Sequence, residues 1–283
     1  PGEPRSPIVK QMTPQPPPLP SRIRERTPEQ LFWIVKHGIK YTAMPGWVTL
    51  EREDEVWSMV AFLQQLPVLG PDQYRRLAYG DVASAMKDDE SGDAVQYFLR
   101  PLTEPLQLIV ADCARCHGAD GNGRGLGAFP KLAGQNEDYL LASLLAFSKG
   151  ERLSGIMQPV AAGLSEETLR TLARYYARLS PSLSGNPSIN QDSAAHGRKL
   201  AEQGMPKQGI PSCVHCHGPG REPRNPVYPE LAGQYAGYLA LQLELFKTGK
   251  RGGTPYAHIM NQVAARLTQA QIQDLAAYYA SID

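Results

Sequence analysis

One six-residue pattern occurs twice and takes up every one of the four cysteines. Cys113-Ala-Arg-Cys116-His117-Gly118 returns as Cys213-Val-His-Cys216-His217-Gly218, offset by 100 residues. The flanks return with it, in the same order. Leu132-Ala133-Gly134-Gln135 matches Leu231-Ala232-Gly233-Gln234. Ile156-Met157 matches Ile259-Met260, and each pair is followed, after two residues, by Val-Ala-Ala. Leu172-Ala173-Arg174-Tyr175-Tyr176-Ala177 matches Leu275-Ala276-Ala277-Tyr278-Tyr279-Ala280. Ordered matches over roughly 75 residues mean two copies of one domain.

The spacing inside the motif has a mechanical reading. Two thiols three positions apart on a helical turn can each form a thioether with one vinyl group of the same haem. The adjacent histidine then reaches the iron. This is the pattern of c-type haem attachment. A zinc site built from two Cys-x-x-Cys pairs commonly separates them by ~15–20 residues, far less than the separation here. A thioredoxin-like pair needs a βαβ context, and the chain carries no strand signals. The motifs therefore nominate Cys113, Cys116 and His117, and Cys213, Cys216 and His217, for two covalent haem c groups.

Each iron then needs a sixth ligand. Met157 and Met260 hold equivalent places, 40 and 43 residues after His117 and His217. A lone methionine in an apolar segment is usually core filler, but both copies keep this one in the same frame. His258 competes in the second copy, yet its counterpart is Gly155, which binds nothing. His215 lies inside the attachment motif, and His37 and His196 read as surface residues. Histidine–methionine ligation raises a haem's potential and fills both axial positions, which argues for electron transfer rather than catalysis at iron. Pro130 and Pro229 read either as plain turn prolines or as residues whose carbonyls accept a hydrogen bond from the axial histidine. Arg152 and Arg251 are equivalent, and two readings stand for them: solvated surface arginines, or partners for haem propionates. The tyrosine pairs are read as core and haem-packing aromatics.

Helix signals fill the rest. Thr27 with Gln30 forms a capping box, Pro28 sits at the first helical position, and Gly38 stops the run. A second helix starts in the acidic stretch Glu51–Glu55 and ends at Pro67. In the copies, helices start at Asn136 and about Tyr235 and stop at Gly150 and Gly249. Ser165 caps the last helix of one copy, and Thr268 with Gln271 caps that of the other. The expected fold is all-α. Residues 1–20 are proline-rich and expected to be extended, 69–100 form a connection with one short helix, and the copies span 101–181 and 182–283. The net charge of +1 gives no basic face for nucleic acid, and no apolar run reaches the ~20 residues of a membrane span.

These motifs, with Tyr139 and Tyr238 and the Gly-x-Arg turns at 150–152 and 249–251, resemble the dihaem cytochrome c4 family over about 101–283. The resemblance implies tandem class I cytochrome c domains in the bacterial periplasm, delivering electrons toward a terminal oxidase. The donor would be a quinol-oxidising complex or a dehydrogenase. Residues 21–68 are similar to the later part of another class I cytochrome domain, with Met44 at its methionine-ligand segment but no Cys-x-x-Cys-His before it. Two readings of this segment stand. The chain begins after the attachment motif of a third haem domain, for which Met44 is the ligand, or the domain has lost its haem. For the whole chain a second role is open, the electron-accepting subunit of a dehydrogenase complex. A haem peroxidase would need an open iron site.

Overall fold

The computed structural model describes residues 10–80, 106–124, 129–182, 189–219 and 224–282. Among them the regular elements are helical, and two isolated β-bridges, Arg124 with Phe129 and Met205 with Ile210, are the only extended pairings. The charged run 87–90 and the Pro101–Pro105 segment lie outside the described residues.

The N-terminal module contains α1 (Leu19–Arg22), α2 (Pro28–His37), α3 (Glu53–Gln65) and α4 (Pro71–Tyr79). Thr27 Oγ1 accepts from the Gln30 amide, and Gln30 Oε1 accepts from the Thr27 amide, so two of the donors orphaned at the start of α2 are satisfied. Gly38 ends α2 at φ 70°, where a Cβ would lie 2.6 Å from the Met44 carbonyl oxygen. The module's buried apolar residues are few: Ile23, Leu31, Val35, Val56, Val60 and Leu66. Trp33, Ile39, Tyr41, Met44, Val48 and Trp57 stay exposed, Tyr41 at 87%.

The first copy contains α5 (Leu106–His117), α6 (Glu137–Ser148), α7 (Met157–Ala162) and α8 (Glu166–Ala177). Its core joins Leu140 of α6 to Leu172, Ala173 and Tyr176 of α8, with Leu106, Ile109, Val110 and Cys113 of α5 packed against them. The second copy contains α9 (Gln191–Gln203), α10 (Val214–His217), α11 (Ala236–Lys247), α12 (Ala257–Ala265) and α13 (Gln269–Ala280). Its core is larger, running from Leu200 and Ile210 to Ile272, Leu275 and Tyr279. In the first copy the attachment motif ends a continuous helix. In the second it forms a separate turn after the Met205–Ile210 loop.

The α9–α13 crossing is close because residue 197 is glycine. A Cβ there would lie 1.9 Å from the Asp274 carbonyl oxygen, a backbone atom that cannot swing aside. Gly197→Ala should therefore cost about 1–3 kcal/mol of stability, as overpacked cores do. A denaturant midpoint unchanged from wild type would show that this contact is not tight.

The methionine segments differ in one respect that sequence explains. In the second copy α12 begins at Ala257, three residues before Met260. In the first, α7 begins at Met157 itself. Pro159 lies in that first turn, where its missing N–H costs nothing. Extending the helix backward would press the proline ring against the carbonyl of residue 155. Ser154–Ile156 therefore stays a loop with amides that need acceptors.

Candidate functional site

Both histidines of the repeated motif are buried. His117 Nδ1 lies 3.0 Å from the Pro130 carbonyl oxygen, and His217 Nδ1 lies 3.0 Å from that of Pro229. A carbonyl only accepts, so Nδ1 carries the proton and donates, which leaves the Nε2 lone pair free for a metal. Burial holds each imidazole below its ordinary value of 6.5, against the opposing pull of the carbonyl bond. The neutral, singly oriented ring is the form that binds iron.

The thiols sit beside these rings. Burial pushes Cys113 and Cys213 up to about 11, so free thiols here would be neutral. The same apolar setting suits thioethers, which carry no charge. The two tyrosines nearest the motif repeat a single feature. Tyr176 and Tyr279 are buried, and among the described residues neither hydroxyl has a nitrogen or oxygen partner, Tyr176 facing the Cys113 thiol. A buried hydroxyl left unpaired costs free energy and marks a place where a further group belongs. Among the described residues no cluster of three or more His, Cys, Asp or Glu could hold a bare metal ion.

Around His217 the aromatic rings continue to the methionine helix. Tyr228 lies 6.2 Å from the His217 ring and 5.3 Å from Tyr256, which caps α12. Met260 is half-buried against Phe246, Ala257 and Ala264. In the first copy Phe129 lies edge-on to His117 at 6.5 Å. Met157 is half-buried, and Met44 is exposed. His37, His196, His215 and His258 are all exposed.

The two copies are joined by reciprocal contacts that the repeat alone does not reveal. Gln135 donates to the Glu230 carbonyl and accepts from the Glu230 amide, both at 2.9 Å. Gln234 does the same to Lys131, both at 3.0 Å. Each glutamine thus grips the backbone next to the proline whose carbonyl orients the other copy's histidine. Deeper in the interface Arg251 donates to Tyr139 Oη at 2.8 Å and to Gln242 Oε1 at 2.6 Å. Arg152 reaches Tyr238 Oη at 3.2 Å and Gln242 Oε1 at 3.3 Å. Both arginines are 7% exposed, and neither has a carboxylate partner among the described residues. Arg251 Nε is buried with no acceptor among the described residues, and burial, then the neighbouring Arg152, pushes its proton affinity down. Two buried cations without an anion are costly, and haem propionates are anions of the right kind. The residues present therefore fit haem: cysteines for thioethers, neutral imidazoles, and buried guanidiniums for carboxylates.

A family model described as "Cytochrome c" matches residues 106–177 and 194–283. A second, described as "Cytochrome C oxidase, cbb3-type, subunit III", matches 9–63. The chain is 40% identical over 172 residues to a thiosulfate dehydrogenase electron acceptor of Thiomonas intermedia, covering 61% of this chain and 79% of that one. It is 36% identical to cytochrome c4 of Pseudomonas aeruginosa, covering 61% of this chain and 84% of the relative. Reduced recombinant cytochrome c4 from Pseudomonas stutzeri superimposes with a TM-score of 0.57 at 34% identity, over 63% of this chain and 97% of that structure.

Paired helical domains, each with a Cys-x-x-Cys-His turn and a buried, carbonyl-oriented imidazole, define a c-type cytochrome with two covalent haem c groups. Its work is electron transfer. The chain belongs to the cytochrome c family, and it is a dihaem, cytochrome c4-like member.

Proposed function

We propose that this chain works in the bacterial periplasm as a soluble or complex-associated relay that takes electrons from a dehydrogenase and passes them toward a terminal oxidase. The observation that carries the donor assignment is its 40% identity to a thiosulfate dehydrogenase electron acceptor. No helix among the described residues is long and apolar enough to cross a membrane, which accords with this role. When bound, each haem supplies a one-electron ferric–ferrous couple. The chain's own residues do the rest. His117 and His217 would bind the iron through Nε2, Met157 and Met260 would supply sulfur ligands, and Cys113, Cys116, Cys213 and Cys216 would hold the haems by thioethers. Arg152 and Arg251 would offset the propionate charge at the domain interface. Met44 is a ligand candidate only for a site that a Cys-x-x-Cys-His from outside these residues completes. The cbb3 subunit III match over 9–63 and the exposed apolar side chains around Met44 support that reading.

Stopped-flow mixing tests the donor. Thiosulfate with a thiosulfate dehydrogenase should reduce both haems in a reaction that saturates with cytochrome. Reduction by a quinol-oxidising complex alone would move the donor assignment there. Gel filtration separates the roles: a mobile relay elutes alone, and a permanent dehydrogenase subunit elutes with its catalytic partner.

A further inference from the structure

The N-terminal module meets the first haem domain in two places: Arg124 donates to the Arg76 and Leu77 carbonyls of α4 at 3.1 and 2.8 Å, and α3 reaches the Met157 loop. Glu55 of α3 is 9% exposed. Its Oε2 accepts from the Gly155 amide at 2.6 Å and from Trp47 Nε1 at 3.0 Å. Its Oε1 accepts from Ser154 Oγ at 2.8 Å. Ser154 Oγ in turn accepts from the Met157 amide at 3.1 Å and the Ile156 amide at 3.3 Å. Arg52, also buried, pairs with Glu55 at 3.1 Å and donates to the Leu153 carbonyl at 2.6 Å.

The second copy has none of this. Ala257 and His258 stand where the first copy has Ser154 and Gly155. Ala257 cannot bridge by a hydroxyl, and a side chain at residue 155 would lie 2.1 Å from Trp47 Nε1. The Gly155 amide finds its acceptor in another module, and the Ile156 and Met157 amides find theirs in Ser154, whose hydroxyl that module holds.

We propose that Glu55 and Arg52 are positioning residues for the first haem's methionine. They fix the Ser154–Met157 loop from outside the domain, so that the first iron keeps its sulfur ligand more firmly than the second. The proposal rests on Met157 being that ligand. Hydrogen bonds to charged groups are among the stronger ones, so losing the clamp should change ligand exchange by about tenfold or more.

The test uses the full haem-loaded chain. Added imidazole displaces methionine from ferric haem, and loss of the sulfur-to-iron absorption band follows it. Wild type should titrate in two steps. Glu55→Ala should raise imidazole affinity about tenfold at the first haem only, with the second step unmoved. Glu55→Gln keeps the shape but not the charge and should fall between. Ser154→Ala should match Glu55→Ala, and Ser154→Thr, which restores the hydroxyl, should recover most of the effect. These variants leave the buried cores intact, and the unchanged second step reports correct folding. A wild-type band from both haems with neither step shifted in Glu55→Ala would overturn the clamp. Equal shifts of both steps would overturn it too. Absence of the first haem's sulfur band in wild type would overturn Met157 ligation itself, and the clamp with it.

Discussion

Met157→His should lower the potential of one haem and leave the other in place. Met260→His should do the same for the other haem. The physical reason lies in the ligand. A thioether is a soft, weakly donating group that favours ferrous iron, whereas imidazole donates more strongly and favours ferric iron. Methionine–histidine ligation accordingly gives higher potentials than bis-histidine ligation. Axial ligands command a range of roughly 0.8 V, so the shift should be a sizeable part of that range. Potentiometric titration followed by visible spectra would show two waves in wild type and one displaced wave in each variant. The double variant should move both. A variant whose waves coincide with wild type would mean that its methionine is the core filler that methionines usually are. For Met260 the contact with Phe246, Ala257 and Ala264 makes that contrary outcome a fair contest.

Cys113→Ala combined with Cys116→Ala should reduce covalent haem from two per chain to one and unfold the first haem domain. Among the described residues, that domain's main buried cluster is small, Leu140, Leu172, Ala173 and Tyr176, and of the other buried apolar residues only Leu169 is larger than alanine. Small domains bury too little apolar surface to stand without help. Haem supplies a large apolar plate, and without Cys113 the buried Tyr176 hydroxyl also loses the thiol it faces. The second domain has the larger core and its own attachment site, so it should keep its haem. The interface should loosen, because Arg152 and Tyr139 would no longer be held against Tyr238 and Arg251. Haemochrome absorbance should halve, and limited proteolysis should cut within 106–182 while sparing 189–282. Full haem retention would contradict attachment at these cysteines, and complete loss would contradict two independent sites.

Much of this structure was legible from residue types because the signals are local. The capping boxes at Thr27 and Thr268, the Ser165 cap and the glycine stop at Gly38 are all formed, since each depends on residues a few positions apart. The carbonyls of Pro130 and Pro229 accept from the histidines, one of the two readings open for them. Contacts between domains were not legible in this way. Gln135 and Gln234 marked the repeat, but nothing in their spacing says that each grips the other copy. Arg152 and Arg251 were read one domain at a time, and their shared cluster with Tyr139, Tyr238 and Gln242 appears only when the copies meet. Glu55 lay in an acidic stretch that suits any helix N-terminus, which hid its reach into the first copy. Its one trace in the sequence was an asymmetry. Ser154-Gly155 breaks a repeat that Ala257-His258 would otherwise continue, and a break in a repeat is where a third body is to be sought.

The haem count per chain tests the central claim most directly. Denaturing intact mass, paired with haemochrome absorbance, should show the polypeptide carrying two covalently attached haems and no thiol open to alkylation. A colourless chain with four alkylatable cysteines, or one holding zinc, would contradict it.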